Sequence, residues 1–297
     1  MQSSGSSWAA TESATSTDVT PTRSRFALRT RSAAIDPRIE AVRRDLADIR
    51  MADRVFAPHY AVPVRRTVGV VTPLTETPGG PALSQLLPGE PFDVLEFTSG
   101  HGWGRSPIDG AVGFVACDGL CAAFAATHVV AVRETVVHGD PSPARPLPLT
   151  LPMGARVAAS GGGDWVEVDG GYVRADDLLP LDSPGGDPVA IALRLQGVAE
   201  VAGGRSGAGV DAAGLVFLAC TLAGEAVPRF ADLQAETIGT PLSAGDVPAR
   251  GDLLFFADHV AMLVDAGTAI HADGTVRCED VAALDRFGPI LARRRPA

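Results

Sequence analysis

The side chains best suited to move protons in the last third of this chain are His259 and His271. Each belongs to a short apolar run, His259-Val260-Ala261-Met262-Leu263-Val264 and Ile270-His271-Ala272. Upstream, Gly203-Gly204-Arg205-Ser206 and Gly209-Val210-Asp211 lead into Ala212-Ala213-Gly214-Leu215-Val216, a loop turning into an apolar helix. A turn of this kind suits a thiol-dependent hydrolase, because the macrodipole and exposed N–H groups lower a thiol's pKa and can hold an oxyanion. An imidazole within reach then takes the proton, and a third polar group fixes its tautomer. Cys220 does not suit the nucleophile's role. It lies eight residues beyond Ala212, roughly 12 Å of helical rise away on another face, past the first turn over which the dipole acts.

The remaining cysteines, Cys117, Cys121 and Cys278, show neither metal-type pairing nor the density of a disulfide framework, and read as reduced thiols. His259 and His271 are not at helical ligand spacing and have no third or fourth ligand, so neither a metal nor any other cofactor is expected. Gly161-Gly162-Gly163 reads as a turn rather than a phosphate-cradling loop.

The elements that must position these groups start with the chain's size, since 297 residues suit two or three domains. All 25 basic residues are Arg, which reads as the codon bias of a GC-rich bacterium. The net charge of -10 argues against nucleic acid and anionic membrane surfaces as partners. No apolar run is long enough for a membrane span. Residues 1–34 are rich in Ser, Thr and Ala, contain Arg23, Arg25, Arg29 and Arg31, and lack a secretory apolar stretch, so a disordered tail and a cytoplasmic protein are expected. Ile39, Val42, Leu46 and Ile49 recur three or four residues apart behind Asp36-Pro37, which predicts a short amphipathic helix over residues 36–49 within a connector at 35–62.

From 63 to 182 the chain turns to short β-rich runs and repeats itself. Leu86-Leu87-Pro88-Gly89, Gly102-Trp103-Gly104-Arg105 and Gly113-Phe114-Val115 are answered by Leu151-Pro152-Met153-Gly154, Asp164-Trp165-Val166-Glu167 and Gly171-Tyr172-Val173. Two small barrels are implied, at 63–125 and 126–182, and the pattern resembles the bacterial SH3 domain. Trp103 and Trp165 are assigned to the barrel cores, because domains this small need large apolar side chains. Pro180 to Pro188 then reads as a linker, and the apolar run from Val189 to Leu195 as a helix opening the last domain, 187–297.

Gly203-Gly204, Asp211-Ala212-Ala213-Gly214-Leu215-Val216, Gly251-Asp252-Leu253, His259-Val260 and His271-Ala272 occur in the order and wording of the NlpC and p-sixty family of papain-like cysteine peptidases, and the likeness runs to Leu284 through Pro228-Arg229 and Gln234. The resemblance implies an α+β fold, a papain-like domain preceded by two SH3-like barrels. The combination is similar to enzymes cleaving γ-D-glutamyl-diamino acid bonds of murein peptides. Carried onto this sequence, it makes His259 the general base and His271 its orienting partner, and places Ala212 where the family has its nucleophilic Cys. Asp211, with Ser206 and Arg205, is the expected contact for substrate, although Asp211 could equally cap the helix. Both histidines could equally be retained by packing alone.

Loss of one member of a catalytic unit lowers turnover by about 10⁴ to 10⁶-fold. Ala213, Glu200 and Ala202 also depart from the family's Ser, Tyr and Trp, and one engineered change would not alter the whole rim. The expectation is a degenerate peptidase homologue, without hydrolase activity, that binds a murein-derived peptide or a protein partner. The alternatives are an active endopeptidase in which Ala212 is an engineered change, and a scaffold acting through its barrels.

Overall fold

The computed structural model describes residues 35–183, 185–243 and 245–297. The tail expected to be disordered, 1–34, lies outside the described residues.

No helix forms over residues 36–49. Leu46–Asp48 is instead a strand paired in parallel with His59–Ala61, followed by a 3₁₀ turn, Ile49–Met51. Local polar bonds explain the departure, since Asp36 accepts the Arg38 amide at 2.9 Å and Asp48 accepts the Arg50 amide at 2.9 Å. Such side-chain-to-backbone bonds compete with the helical ladder. Burial differs too: Ala41 and Ala47 are buried, whereas Ile49 is exposed. The segment is strapped across the first barrel, with Arg43 4.4 Å above the Trp103 ring.

The first barrel is a seven-stranded sheet ordered Ala82–Leu86, Thr72–Thr75, Val112–Ala116, His101–Arg105, Pro91–Thr98, Val64–Val68 and Leu120–Cys121. Its interior gathers Val68, Leu74, Leu86, Phe92, Val94 and Val115. Trp103 is buried, yet in a separate cluster with Ala41, Leu95 and Val112 beneath the N-terminal strap. The second barrel has a four-stranded and a three-stranded sheet around a purely aliphatic core that includes Val130, Val137, Leu151, Val168 and Val173. Its tryptophan does not fill it. Trp165 is only half-buried, edge-on to His138 at 4.8 Å, because aliphatic side chains already close so small a core. The internal repeat survives in detail: each barrel ends on a 3₁₀ turn and a short strand, Cys117–Gly119 into Leu120–Cys121 and Ala175–Asp177 into Leu178–Pro180.

The last part opens with α1 (Pro188–Leu193), capped by Asp187, whose carboxylate accepts the Val189 amide at 3.0 Å. α2 (Ala212–Ala223) packs against α1 and is apolar almost all round, as a fully enclosed helix must be. Gly224 ends it in the left-handed region at φ 100°, where a Cβ would be strained. α3 (Ala231–Thr237) follows. An antiparallel six-stranded sheet then runs in the order Thr240–Pro241, Ala292–Arg295, Leu253–Phe255, Val260–Leu263, Thr268–Asp273 and Thr275–Asp280. Phe217, Val260, Met262, Ile270 and Ala272 belong to one core joining α2 to this sheet. Among the described residues no helix is long and apolar enough to cross a membrane.

Candidate active site

The first turn of α2 is fixed before any ligand arrives. Asp211 is extended and its Oδ1 accepts the Gly214 amide at 2.6 Å, an N-cap. Its Oδ2 accepts the Gly203 amide at 3.0 Å, and Arg229 donates to both oxygens at 3.1 and 2.6 Å. Glycine is required at 214, because a Cβ there would sit 2.1 Å from the carbonyl oxygen of Gly204. Gln234 of α3 donates to the carbonyls of Ala213 at 3.0 Å and Pro228 at 2.9 Å, tying α3 to the same turn. Ala212 is therefore the first residue of a rigidly held helix, 8% exposed and ending in a methyl group.

The strands that follow α2 against the sheet bring the two histidines together. His259 directly precedes Val260–Leu263, and His271 lies within Thr268–Asp273. Their rings meet edge-on, with His259 Nε2 2.8 Å from His271 Nδ1. His271 Nε2 is in turn 3.4 Å from Glu279 Oε1, a long contact across the adjacent strand. Arg277 donates to Glu279 at 2.8 Å and Arg286 does so as well. The Arg286 hydrogen bond is the chief reason that the Glu279 carboxyl is held down at about 2.

Burial pushes His259 down to about 4, the His271 charge adds to that, and Asp273 and Glu279 oppose it. His271 is lowered as well, by burial first, with Glu279 opposing. Both rings are thus neutral at pH 7. An ionised Glu279 favours the proton on His271 Nε2, which leaves His271 Nδ1 as acceptor and puts the shared proton on His259 Nε2. His259 Nδ1 then carries the free lone pair, the state a general base requires. Phe287 stacks on His259 at 3.9 Å and 13°, with the Arg286 guanidinium 4.4 Å from the same Phe ring.

Ala212, Asp211, His259 and His271 thus belong to two abutting elements, α2 and the sheet. The other two expected contacts, Arg205 and Ser206, are buried and bonded within the protein. Arg205 is 1% exposed and donates to Glu90 of the first barrel at 2.8 and 2.5 Å, while its Nε lies 3.2 Å from Asp109. Ser206 is fully buried, its Oγ accepting the Ala208 amide at 3.3 Å. Asp211 is occupied by the helix cap and Arg229. Glu200 is exposed and accepts the Gly274 amide at 2.7 Å.

Sequence reasoning missed the roles of Glu279, Phe287 and Arg229. Only Glu279 left a usable trace: Arg277 and Glu279 alternate along the strand paired with that of His271. Cys220 lies in the core of α2 and burial raises its thiol to about 12, so it offers no thiolate. Among the described residues no group of three or more His, Cys, Asp and Glu side chains could hold a metal ion. His259 thus offers a free Nδ1 lone pair at the start of a strand packed on α2, and Ala212 at the head of α2 ends in a methyl group.

Residues 199–284 match the NlpC/P60 family, and residues 74–120 match the bacterial dipeptidyl-peptidase SH3 domain. The chain is 31% identical over 125 residues to the gamma-D-glutamyl-L-lysine dipeptidyl-peptidase of Bacillus subtilis (strain 168), an alignment covering 38% of this chain. The chain spans 41% of the length of that curated relative. The fold is similar to the crystal structure of an NlpC/P60 family protein from Bacillus cereus ATCC 10987, with a TM-score of 0.65 at 17% identity, covering 78% of this chain and 99% of that one. An NlpC/P60 endopeptidase from Photobacterium damselae subsp. piscicida gives a TM-score of 0.56 at 12% identity, covering 75% of this chain and 67% of that one. The chain therefore carries an NlpC/P60 domain behind a bacterial SH3-type region, and is distantly homologous to the Bacillus subtilis dipeptidyl-peptidase.

Proposed function

We propose that this protein is a non-hydrolytic relative of the NlpC/P60 cell-wall peptidases that binds a peptidoglycan-derived peptide beside the first turn of α2. The observation that carries this reading is Ala212: a methyl group stands at the capped helix N-terminus while the His259–His271–Glu279 chain stays assembled. A carbon side chain cannot attack a carbonyl, whereas the braced turn and the neutral imidazole can still contact a peptide. The peptide chemistry follows the activity of the Bacillus subtilis relative, a gamma-D-glutamyl-L-lysine dipeptidyl-peptidase. Asp211, already bonded to Arg229 and two main-chain amides, acts by holding the turn rather than by receiving the substrate amine.

The deciding experiment titrates L-Ala-γ-D-Glu-L-Lys and its diaminopimelate counterpart into the full chain, followed by NMR and by chromatography of the peptide. The reading expects saturable shifts at Ala212, Ala213 and His259 with the peptide recovered intact. Cleavage at an ordinary enzymatic rate, abolished by His259→Ala, refutes the non-hydrolytic half. Absence of any shift at millimolar peptide refutes the binding half.

A further inference from the structure

A cavity of ≈ 230 Å³ lies at the far end of α2 from Ala212, where both barrels meet the papain-like domain. Its apolar wall comes from Ile108 of the first barrel, Val129 and Leu179 of the second, and Phe217, Leu218 and Leu222 of α2. For scale, an apolar cavity of about 150 Å³ is enough to hold benzene. Two polar groups on the same wall lack hydrogen-bond partners among the described residues. The Thr221 hydroxyl is buried and finds no hydrogen bond among the described residues. The half-buried Arg156 makes no side-chain hydrogen bond or ion pair among the described residues; burial lowers its pKa, with the Glu90 charge opposing and the Arg205 charge adding to the effect.

Two carboxylates and Arg205 also line this wall. Glu90 binds Arg205 through both oxygens and also accepts the Leu87 amide at 2.9 Å. Glu225 accepts the main-chain N–H of Ala297 at 3.2 Å. Among the described residues the Arg156 guanidinium donates no hydrogen bond, although the Glu90 charge lies near enough to favour its cationic form; its main chain is pinned by donation to the Pro88 carbonyl at 2.7 Å. A planar guanidinium fork with free N–H donors suits a carboxylate through two parallel hydrogen bonds.

We infer that this cavity is a binding site for a small monocarboxylate with a short apolar tail, its carboxylate on Arg156 and its tail against Phe217, Leu218 and Leu222. The site is independent of the peptide reading, since it shares no residue with the first turn of α2 or the histidine pair.

The test uses the full chain with hexanoate, 1-hexanol and hexylamine as probes, measured by calorimetry and by methyl NMR of Leu218 and Leu222, with inorganic phosphate as the plain anion. Hexanoate is expected to bind one per chain, about tenfold tighter than hexanol, the margin of one charge-assisted hydrogen bond. Arg156→Gln should erase that margin and Arg156→Lys should keep part of it. No saturable response to millimolar hexanoate, equal affinity for the alcohol, preference for hexylamine, or phosphate binding as well as hexanoate would each overturn the assignment. Should Arg156→Gln prove unfolded by circular dichroism, the comparison of the three six-carbon probes on the natural sequence decides alone.

Discussion

At the scale of single residues, His259 differs from a solvent-exposed histidine in a way that can be read out. Its imidazole is depressed to about 4, chiefly by burial, whereas an unfolded chain protonates near 6.5. Between those values the unfolded state binds the proton and the folded state does not. Its contribution to stability is therefore complete above about pH 6.5 and is lost as pH falls through about 4. Imidazole NMR titration should show His259 still neutral at pH 5. Phe287→Ala removes the ring stacked on it and should move the titration upward; an unchanged midpoint would mean that burial is not what holds it down. Restoring sulfur tests the neighbouring position. In Ala212→Cys, the helix N-terminus and the His259 lone pair should lower the introduced thiol below the ordinary value of about 8.5. Iodoacetamide at pH 7 should then label that introduced thiol ahead of exposed Cys121, while Cys220, raised to about 12, stays unlabelled until the protein unfolds.

At the scale of elements, the first turn of α2 depends on one carboxylate. Asp211→Ala removes a cap, which alone costs about 1 kcal/mol, and strands Arg229, whose side chain is 2% exposed. Breaking a buried pair from one side costs roughly 3–5 kcal/mol, so a loss well above the cap value is expected in urea denaturation. Pairing it with Arg229→Met should recover part of the loss. The sequence made the loop, the helix and the two histidine strands legible because each is a local pattern: glycines before a cap, an apolar run, a histidine at a strand start. The burial of Arg205 and Ser206 was not legible, since nothing local reveals that the Arg205 guanidinium is met by Glu90 more than a hundred residues away. It also misread residues 36–49, where apolar spacing mimicked a helix while Asp36 and Asp48 were bonding the backbone otherwise. Trp165 was assigned to a core that aliphatic residues fill without it. Periodicity reports which face a residue could bury, and the competing polar bonds and the size of the cavity decide whether it does.

At the scale of the whole molecule, the papain-like domain and the first barrel share a buried chain of polar contacts that neither could complete alone. Glu90 meets Arg205, Arg205 reaches Asp109, Ser84 donates to Asp109 at 2.6 Å, Arg229 donates to Ser84 at 3.2 Å, and Arg229 holds Asp211 at the head of α2. Burial disfavours the charge on Arg205, and Glu90 with Asp109 more than offsets it. The apolar core crosses the same borders, with Val129 and Met153 of the second barrel packed in the cluster that holds α2. Residues 187–297 expressed alone would expose that apolar face and leave Arg205 without both carboxylates. They are expected to be insoluble or to lack fixed tertiary structure by near-ultraviolet circular dichroism. In the full chain, Glu90→Gln should lower the stability of the papain-like domain by roughly 3–5 kcal/mol although the substitution lies in the barrel. It should shift one calorimetric transition, by about 10 °C, rather than melt the barrel separately. An isolated 187–297 fragment melting at the temperature of the full chain would show instead that the barrels are appendages, and that the path from Glu90 to α2 carries no stability.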